Sequence, residues 1–259
     1  MFNRPCVIIG NWKMHKTIEE ALEFVQQLIA LYEPREDLQV GLAVPYTQIY
    51  PLSKEIDHPL FMIGAQNMND ASEGAFTGEI AGMMLKEAGA QFVLLGHSER
   101  RHLYAENDAF IHRKLKKAVE VGLQPILCVG ETLDEYERNE TAAVIEKQLT
   151  EGLKEFQEEE LTNLIIAYEP VWAIGNGESA TPQIVQEVHV LIREFLSNRV
   201  SEDFAKRVVI QYGGSVNPLN AHSLLAQPDI DGLLIGGASL SLESFLQIVN
   251  DRYSKIQLE

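Results

Sequence analysis

Leu164-Ile165-Ile166-Ala167-Tyr168-Glu169-Pro170 is a short, near-continuously apolar run that stops at an acid and a proline. A strand with one wet face would alternate apolar and polar residues; an unbroken run suits a parallel strand covered on both faces. Further along, Thr181-Pro182 has the form of a helix start, with Thr at the N-cap and Pro at the first helical position. Ile184, Val185, Val188, Leu191, Ile192, Phe195 and Leu196 then recur at helical spacing. Strand, connection and amphipathic helix make one β/α unit.

The unit repeats along the chain. Comparable runs are Cys6 to Ile9, Val40 to Val44, Leu60 to Ile63, Phe92 to Leu95, Ile126 to Val129, Val208 to Ile210 and Gly232 to Ile235, which with the first makes eight candidate strands. Between them, Thr17-Ile18-Glu19-Glu20 is a capping box that opens a helix with Ala21, Phe24, Val25 and Leu28 on one face. Thr132 with Glu135 repeats the signature before another long amphipathic stretch, and Ile111, Leu115, Ala118 and Val119 stripe a helix that ends at Gly122. No Pro/Ser-rich linker interrupts the alternation, so residues 1–259 are expected to form one domain. Right-handed crossovers allow an open doubly wound sheet or a closed (β/α)₈ barrel of the α/β class, and eight strands favour the barrel. Either way, ligands sit beyond the strand C-termini.

Composition narrows the chemistry. The 259 residues are 46% hydrophobic and carry a formal charge of −17, spread along helical segments rather than gathered in a tail. Such a surface argues against nucleic acid and anionic membranes. It does not exclude a phosphate ligand, because helix-start N–H groups and one placed lysine act locally while surface charges are screened beyond about 10 Å. Cys6 and Cys128 lie in apolar runs without CxxC spacing, so buried reduced thiols are expected and no metal site is read from them. No apolar stretch approaches the ~18 residues of a membrane span, and the N-terminus lacks a signal-peptide layout. The cytoplasm is the expected address.

The strand ends carry the reactive side chains: Asn11-Trp12-Lys13, Gln66-Asn67, His97-Ser98-Glu99, Glu131, Glu169-Pro170, Gly213-Gly214-Ser215 and Gly236-Gly237-Ala238-Ser239. The paired glycines allow close backbone approach, and Asn217-Pro218 and Ser239 look like helix starts after them. Two such turns after the last two strands suit a barrel phosphate site, although tight turns with no ligand have the same pattern. Glu169 stands before the apolar Val171-Trp172-Ala173-Ile174, whose cover should raise its pKa and make it a better base. Each residue also has a plainer reading: Glu169 as an ion-pair partner, His97 as a structural hydrogen bonder, Lys13 as a solvated cation. Gly175-Asn176-Gly177-Glu178-Ser179-Ala180 matches a dinucleotide fingerprint, but it neither follows a strand directly nor opens a helix. Glycines bracketing an apolar tip fit a closing lid better.

Asn11-Trp12-Lys13-Met14, Gly96-His97-Ser98-Glu99-Arg100-Arg101, Tyr168-Glu169-Pro170-Val171-Trp172-Ala173-Ile174-Gly175, Tyr212-Gly213-Gly214-Ser215-Val216 and Ile235-Gly236-Gly237-Ala238-Ser239 resemble, in order and spacing, the signature segments of the triosephosphate isomerase family. Gly64-Ala65-Gln66-Asn67 and Gly74-Ala75-Phe76-Thr77-Gly78-Glu79 resemble the family's subunit-contact loop. The resemblance implies a (β/α)₈ homodimer that interconverts dihydroxyacetone phosphate and glyceraldehyde 3-phosphate through an enediolate, with no cofactor and no metal. The family is itself a standard illustration of a Glu base, a neutral His electrophile and a closing loop. By that resemblance Glu169 takes the carbon-bound proton, and neutral His97 polarises the carbonyl and shuttles protons between the oxygens. Lys13 and Asn11 stabilise the enediolate, while Gly175, Ser215, Gly236 and Gly237 hold the phosphate. Glu99 supports the site beside Lys13, and Pro170, Val171, Trp172, Ala173, Ile174, Gly175, Asn176 and Gly177 form the lid. Phe76 and Thr77 of one subunit meet Met14 and His15 of the other. His15, Asn176 and Glu178 depart from the usual family pattern, which bears on the interface and the lid rather than on the reaction. Two other readings of the residues stand beside this one: a phosphate-binding barrel lyase with Lys13 as Schiff-base nucleophile, and a phosphate-binding scaffold without chemistry.

Overall fold

The apolar runs become strands with both faces covered. The structure is a computed structural model that describes residues 4–56, 61–174 and 179–251. Its strands are β1 (Cys6–Asn11), β2 (Leu38–Val44), β3 (Phe61–Ala65), β4 (Phe92–Leu95), β5 (Gln124–Val129), β6 (Ile165–Tyr168), β7 (Val209–Tyr212) and β8 (Gly232–Ile235). Each is parallel to the next, and β8 returns to β1 with Val7 opposite Gly232 and Ile9 opposite Leu234, which closes the barrel. The expected strands are all present with shifted ends: β1 runs on to Asn11, β7 to Tyr212, and Leu60 lies outside the described residues.

Period-two alternation sorts the strand side chains into two layers. Val7, Ile9, Phe92, Leu94, Ile126, Cys128, Ala167 and Leu234 cluster inside the barrel. Ile8, Leu42, Ile63, Leu95, Leu127, Ile166 and Ile210 point outward and pack with Leu28, Leu115, Leu149 and Ile192 of the surrounding helices. Each fully buried Val, Leu or Ile stabilises by roughly 1.5–3 kcal/mol. Cys6 and Cys128 are buried thiols within these layers.

Local signals place the helices well but misjudge some of their extents. Ile18–Leu31 begins at Thr17 with the reciprocal bonds of a capping box to Glu20, and Pro182–Arg199 begins at Thr181. Thr132 and Glu135 also form their box, yet the long helix expected after it is divided into Leu133–Glu137 and Thr141–Gly152. Asn139, with φ 57, makes the left-handed break between them. Ser239 is not a helix cap: it lies inside a 3-10 turn, Gly237–Leu240, and Ser241 caps the helix Leu242–Val249. Asn217 likewise organises a turn, and Asn220 precedes the short helix Ala221–Leu225. Among the described residues, no helix is long and apolar enough to cross a membrane.

Closure depends on a backbone contact. A Cβ built at Gly232 would lie 1.9 Å from the Val7 carbonyl oxygen, so β8 can lie against β1 there only without a side chain. Gly232→Ala is expected to destabilise by about 1–3 kcal/mol through overpacking, and so to lower Tm by about 2–10 °C for a chain of this size. A thermal melt of the variant that superimposes on the parent melt would contradict this account of closure.

Candidate active site

The strand ends converge on a cavity of about 230 Å³ at the C-terminal mouth of the barrel. Its lining includes Asn11, Lys13, His97, Glu169, Ile174 and the turns around Ser215 and Gly236-Gly237. Five different strand ends thus bring one acid, one imidazole, one ammonium and two glycine turns to a common space.

Glu169 follows β6, and its N–H donates to the Val129 carbonyl at 2.7 Å, continuing the sheet by one residue. Two glycines make room for it. A Cβ at Gly130 would lie 1.8 Å from the Glu169 carbonyl oxygen, and one at Gly213 would lie 2.8 Å from Glu169 Cγ. Glu169 is 2% exposed. Its Oε2 accepts the Ser98 N–H at 3.0 Å, and its Oε1 lies 3.0 Å from His97 Nε2. His97 is the N-cap of Ser98–Leu103, and its Nδ1 accepts the Glu99 N–H at 3.2 Å. That donor leaves Nε2 as the nitrogen that carries the proton of a neutral ring.

The titration of this pair corrects one expectation. Burial pushes the Glu169 carboxyl up, as expected, but His97, the Ser98 N–H and Lys13 together outweigh it and bring the carboxyl below the usual glutamate value. For His97, burial acts downward, yet the adjacent Glu169 carboxylate, with Glu99 behind it, leaves the imidazole raised. Both directions express one contact. While the carboxylate touches the ring, each favours the other's charge; once they separate, burial acts on both with less to oppose it.

Lys13 reaches the cavity from a left-handed backbone, φ 52. That conformation is held from both sides: Asn11 Oδ1 accepts the Lys13 N–H at 3.0 Å, and Gln66 Nε2 donates to the Lys13 carbonyl at 2.8 Å. The ammonium is 2.6 Å from Glu99 Oε1. A Cβ at Gly236 would come within 3.5 Å of Lys13 Cε, which places the lysine stem against that turn. The Trp12 indole N–H donates to the Ser239 carbonyl at 3.1 Å and ties the end of β1 to the same turn.

The lid segment is described up to Ile174; Gly175, Asn176, Gly177 and Glu178 lie outside the described residues. After Pro170, Val171–Ala173 form a 3-10 turn. The Ser215 N–H, expected to face phosphate, donates here to the Ala173 carbonyl at 2.9 Å. Glu131, noted at a strand end but given no role, is fully buried; its Oε1 accepts from Tyr168 Oη at 3.0 Å and from Trp172 Nε1 at 2.8 Å. A buried acid needs donors, and the nearby Tyr and Trp were the available signal. The Ser98 N–H was missed as well; its signal was a strand end running straight into a helix, where N–H groups lack partners.

The residues expected at a subunit contact are exposed. Met14, 93% exposed, borders a second cavity of about 350 Å³ with Lys13, Tyr46, Asn67, Arg100 and Tyr104. His15, Phe76 and Thr77 are exposed, and Phe76 borders a separate hollow beside Asn69 and Glu79. Among the described residues, no group of three His, Cys, Asp or Glu side chains is placed to hold a metal ion.

Comparison with known proteins agrees with this geometry. The family model described as triosephosphate isomerase matches residues 6–252. A triosephosphate isomerase of Protochlamydia amoebophila is 61% identical over 257 residues, covering 99% of this chain and 97% of the relative. Those of Carboxydothermus hydrogenoformans and Fusobacterium nucleatum are 49% and 45% identical, each over 95% of this chain and 98% of the relative. The likeness takes in every strand of the barrel and every loop that reaches the cavity, and on that extent the chain belongs to the triosephosphate isomerase family.

Proposed function

We propose that the protein interconverts dihydroxyacetone phosphate and D-glyceraldehyde 3-phosphate, with residues 1–259 acting as one barrel unit. The observation that carries this reading is the meeting of Glu169, His97 and Lys13 in one cavity that also presents two glycine turns. Substrate phosphate sits against the turns at Ser215 and Gly236-Gly237, and the reacting carbons lie between Glu169 and His97. The Glu169 carboxylate removes a proton from the hydroxyl-bearing carbon next to the carbonyl. The electron pair moves to the carbonyl oxygen and gives an enediolate, stabilised by the Lys13 ammonium, Asn11 and the His97 Nε2–H. The proton goes back to the neighbouring carbon while His97 moves a proton between the oxygens. Nothing is oxidised or reduced overall, so the reaction calls for no cofactor.

The neutral imidazole follows from the contact geometry. When substrate separates Glu169 from His97, the imidazole loses the carboxylate that raised it, and burial together with the Glu99 N–H on Nδ1 favours the neutral ring. Glu169, moved off the Ser98 N–H, becomes a stronger base. Val171–Ile174 and the residues after them act as a lid that excludes water. A Schiff-base lyase reading gains no support from Lys13, whose ammonium is held by Glu99 at 2.6 Å.

A homodimer is part of the proposal. Met14, Phe76, Met83, Met84 and Tyr104 are large, apolar and at least half exposed. The loop that carries Phe76 is internally hydrogen-bonded, Phe76 N–H to Gly74 and Glu79 N–H to Phe76, with Gly74 and Gly78 at positive φ. In a reciprocal two-fold contact, each Phe76-Thr77 tip would fill the partner's second cavity beside Lys13, with Met14 and His15 facing it. Two buried thiols fit a reducing cytoplasmic compartment.

Glu169→Gln should lower kcat by about 10²–10⁴-fold with substrate affinity roughly kept. It should also lower the His97 pKa, since the main group that raises it is gone; turnover and an NMR titration of the His97 ring test both, and parent-like turnover would remove Glu169 from the mechanism. Lys13→Met should cost at least about 100-fold in kcat/KM, and activity retained at low salt would deny the lysine its electrostatic role. Thr77→Arg should give folded monomers with turnover reduced by about 100-fold through a misplaced Lys13. Light scattering and assay of one sample decide this: a fully active monomer would show that the loop supports neither assembly nor the site.

A further inference from the structure

Trp172 lies at the centre of the 3-10 turn that separates Glu169 from Ile174, and it is held on two sides. Its indole N–H donates to Glu131 Oε1 at 2.8 Å. Its ring lies on the ring of Tyr136, with centroids 4.3 Å apart and planes inclined by 26°. Both supports belong to the segment that follows β5. Glu131 is fixed by burial and by the Tyr168 hydroxyl at 3.0 Å. Tyr136 sits on Leu133–Glu137, a helix locked at its start by the Thr132–Glu135 capping box, and its own N–H donates to the Thr132 carbonyl at 2.9 Å. The support is therefore rigid, and what rests on it is a single turn of the segment that follows β6.

That turn leads straight into the cavity. Ile174 lines it, and the Ala173 carbonyl holds the Ser215 N–H on its far side. Bringing Val171–Ile174 over a bound ligand carries the indole with it, and a stacked pair loses its attraction when one ring slides off the other. The Glu131 bond can follow a small rotation of the indole edge, whereas the stack cannot follow a translation of its face.

We infer that Tyr136 is a positioning residue for the reaction: its ring holds Trp172 and so sets how readily Val171–Ile174 leaves its present place to cover the cavity. This rests on the isomerase reading above. Tyr136 does not line the cavity and makes no contact with Glu169, His97 or Lys13 among the described residues. Its effect passes through the balance of two arrangements, so weakening the uncovered one strengthens binding of any ligand that prefers the covered one by the same factor.

The test uses 2-phosphoglycolate, whose carboxylate stands for the enediolate, on the full-length protein. Tyr136→Ala and Tyr136→Leu should bind it about two- to tenfold more tightly, the range that one stacked pair supplies. KM should fall in parallel while kcat does not rise; Tyr136→Phe, which keeps the ring, should match the parent. In 19F NMR of protein labelled with 5-fluorotryptophan, the two tryptophans report separately. The Trp172 resonance, assigned with Trp172→Phe, should move in the alanine and leucine variants while that of Trp12 stays. A merely structural role predicts lost stability and weaker binding, not tighter. If the parent isomerises triose phosphate and binds 2-phosphoglycolate but the variants show unchanged or weaker affinity, Tyr136 has no such role, whether or not the Trp172 resonance moves, and the isomerase reading survives. If the parent does neither, both fall together.

Discussion

Glu169 is a carboxylate that the barrel takes out of water and then compensates with the Ser98 N–H and His97 Nε2, each at 3.0 Å. Burying an uncompensated carboxylate costs several kcal/mol, so the loops at the barrel mouth are arranged about that requirement. Gly130 and Gly213 are small because the acid's own backbone and stem occupy the space where side chains would stand. Ser98 opens a helix there, where an N–H is free of intrahelical partners. His97 presents Nε2 because Glu99 has claimed Nδ1. On the proposed reading, the same arrangement that stabilises the unliganded acid leaves it poised, since a ligand that parts it from these donors would turn a satisfied carboxylate into a base.

The second constraint is local charge in an acidic protein. A net charge of −17 repels an anion at long range, but at the cavity the screened surface matters less than Lys13 and the glycine turns. Lys13 reaches its place only by accepting a left-handed backbone, φ 52, which Asn11 and Gln66 hold through its N–H and carbonyl. Such strain persists where neighbours over-determine it. Glu99 then fixes the ammonium at 2.6 Å.

Much of this was legible in the chain. The unbroken apolarity of Leu164 to Tyr168 and its counterparts reported strands covered on both faces, and their number reported closure. Caps at Thr17 and Thr181 located helix starts because a side-chain oxygen and an N–H meet within one turn of chain. What failed was information carried between distant residues. Nothing near Thr132 states that Asn139 will turn left-handed and divide the helix, and nothing near Ser239 states that a 3-10 turn will postpone the cap to Ser241. The rise expected for Glu169 was a sound reading of its apolar neighbours in sequence, overturned by His97 and Ser98, which only the fold brings to it. Tyr136 gave no sign of its contact with Trp172, because that partner lies on the next β/α unit.

The central claim is that a carbon-bound proton passes through Glu169. Running the reaction in D2O and examining the recovered triose phosphates by NMR tests it most directly. The account predicts solvent deuterium on the carbon that receives the proton, since a protonated carboxyl can exchange before it returns the proton, and no such incorporation with Glu169→Gln. Isomerised product that retains all of its original carbon-bound hydrogen, or deuterium incorporation undiminished in Glu169→Gln, would contradict it.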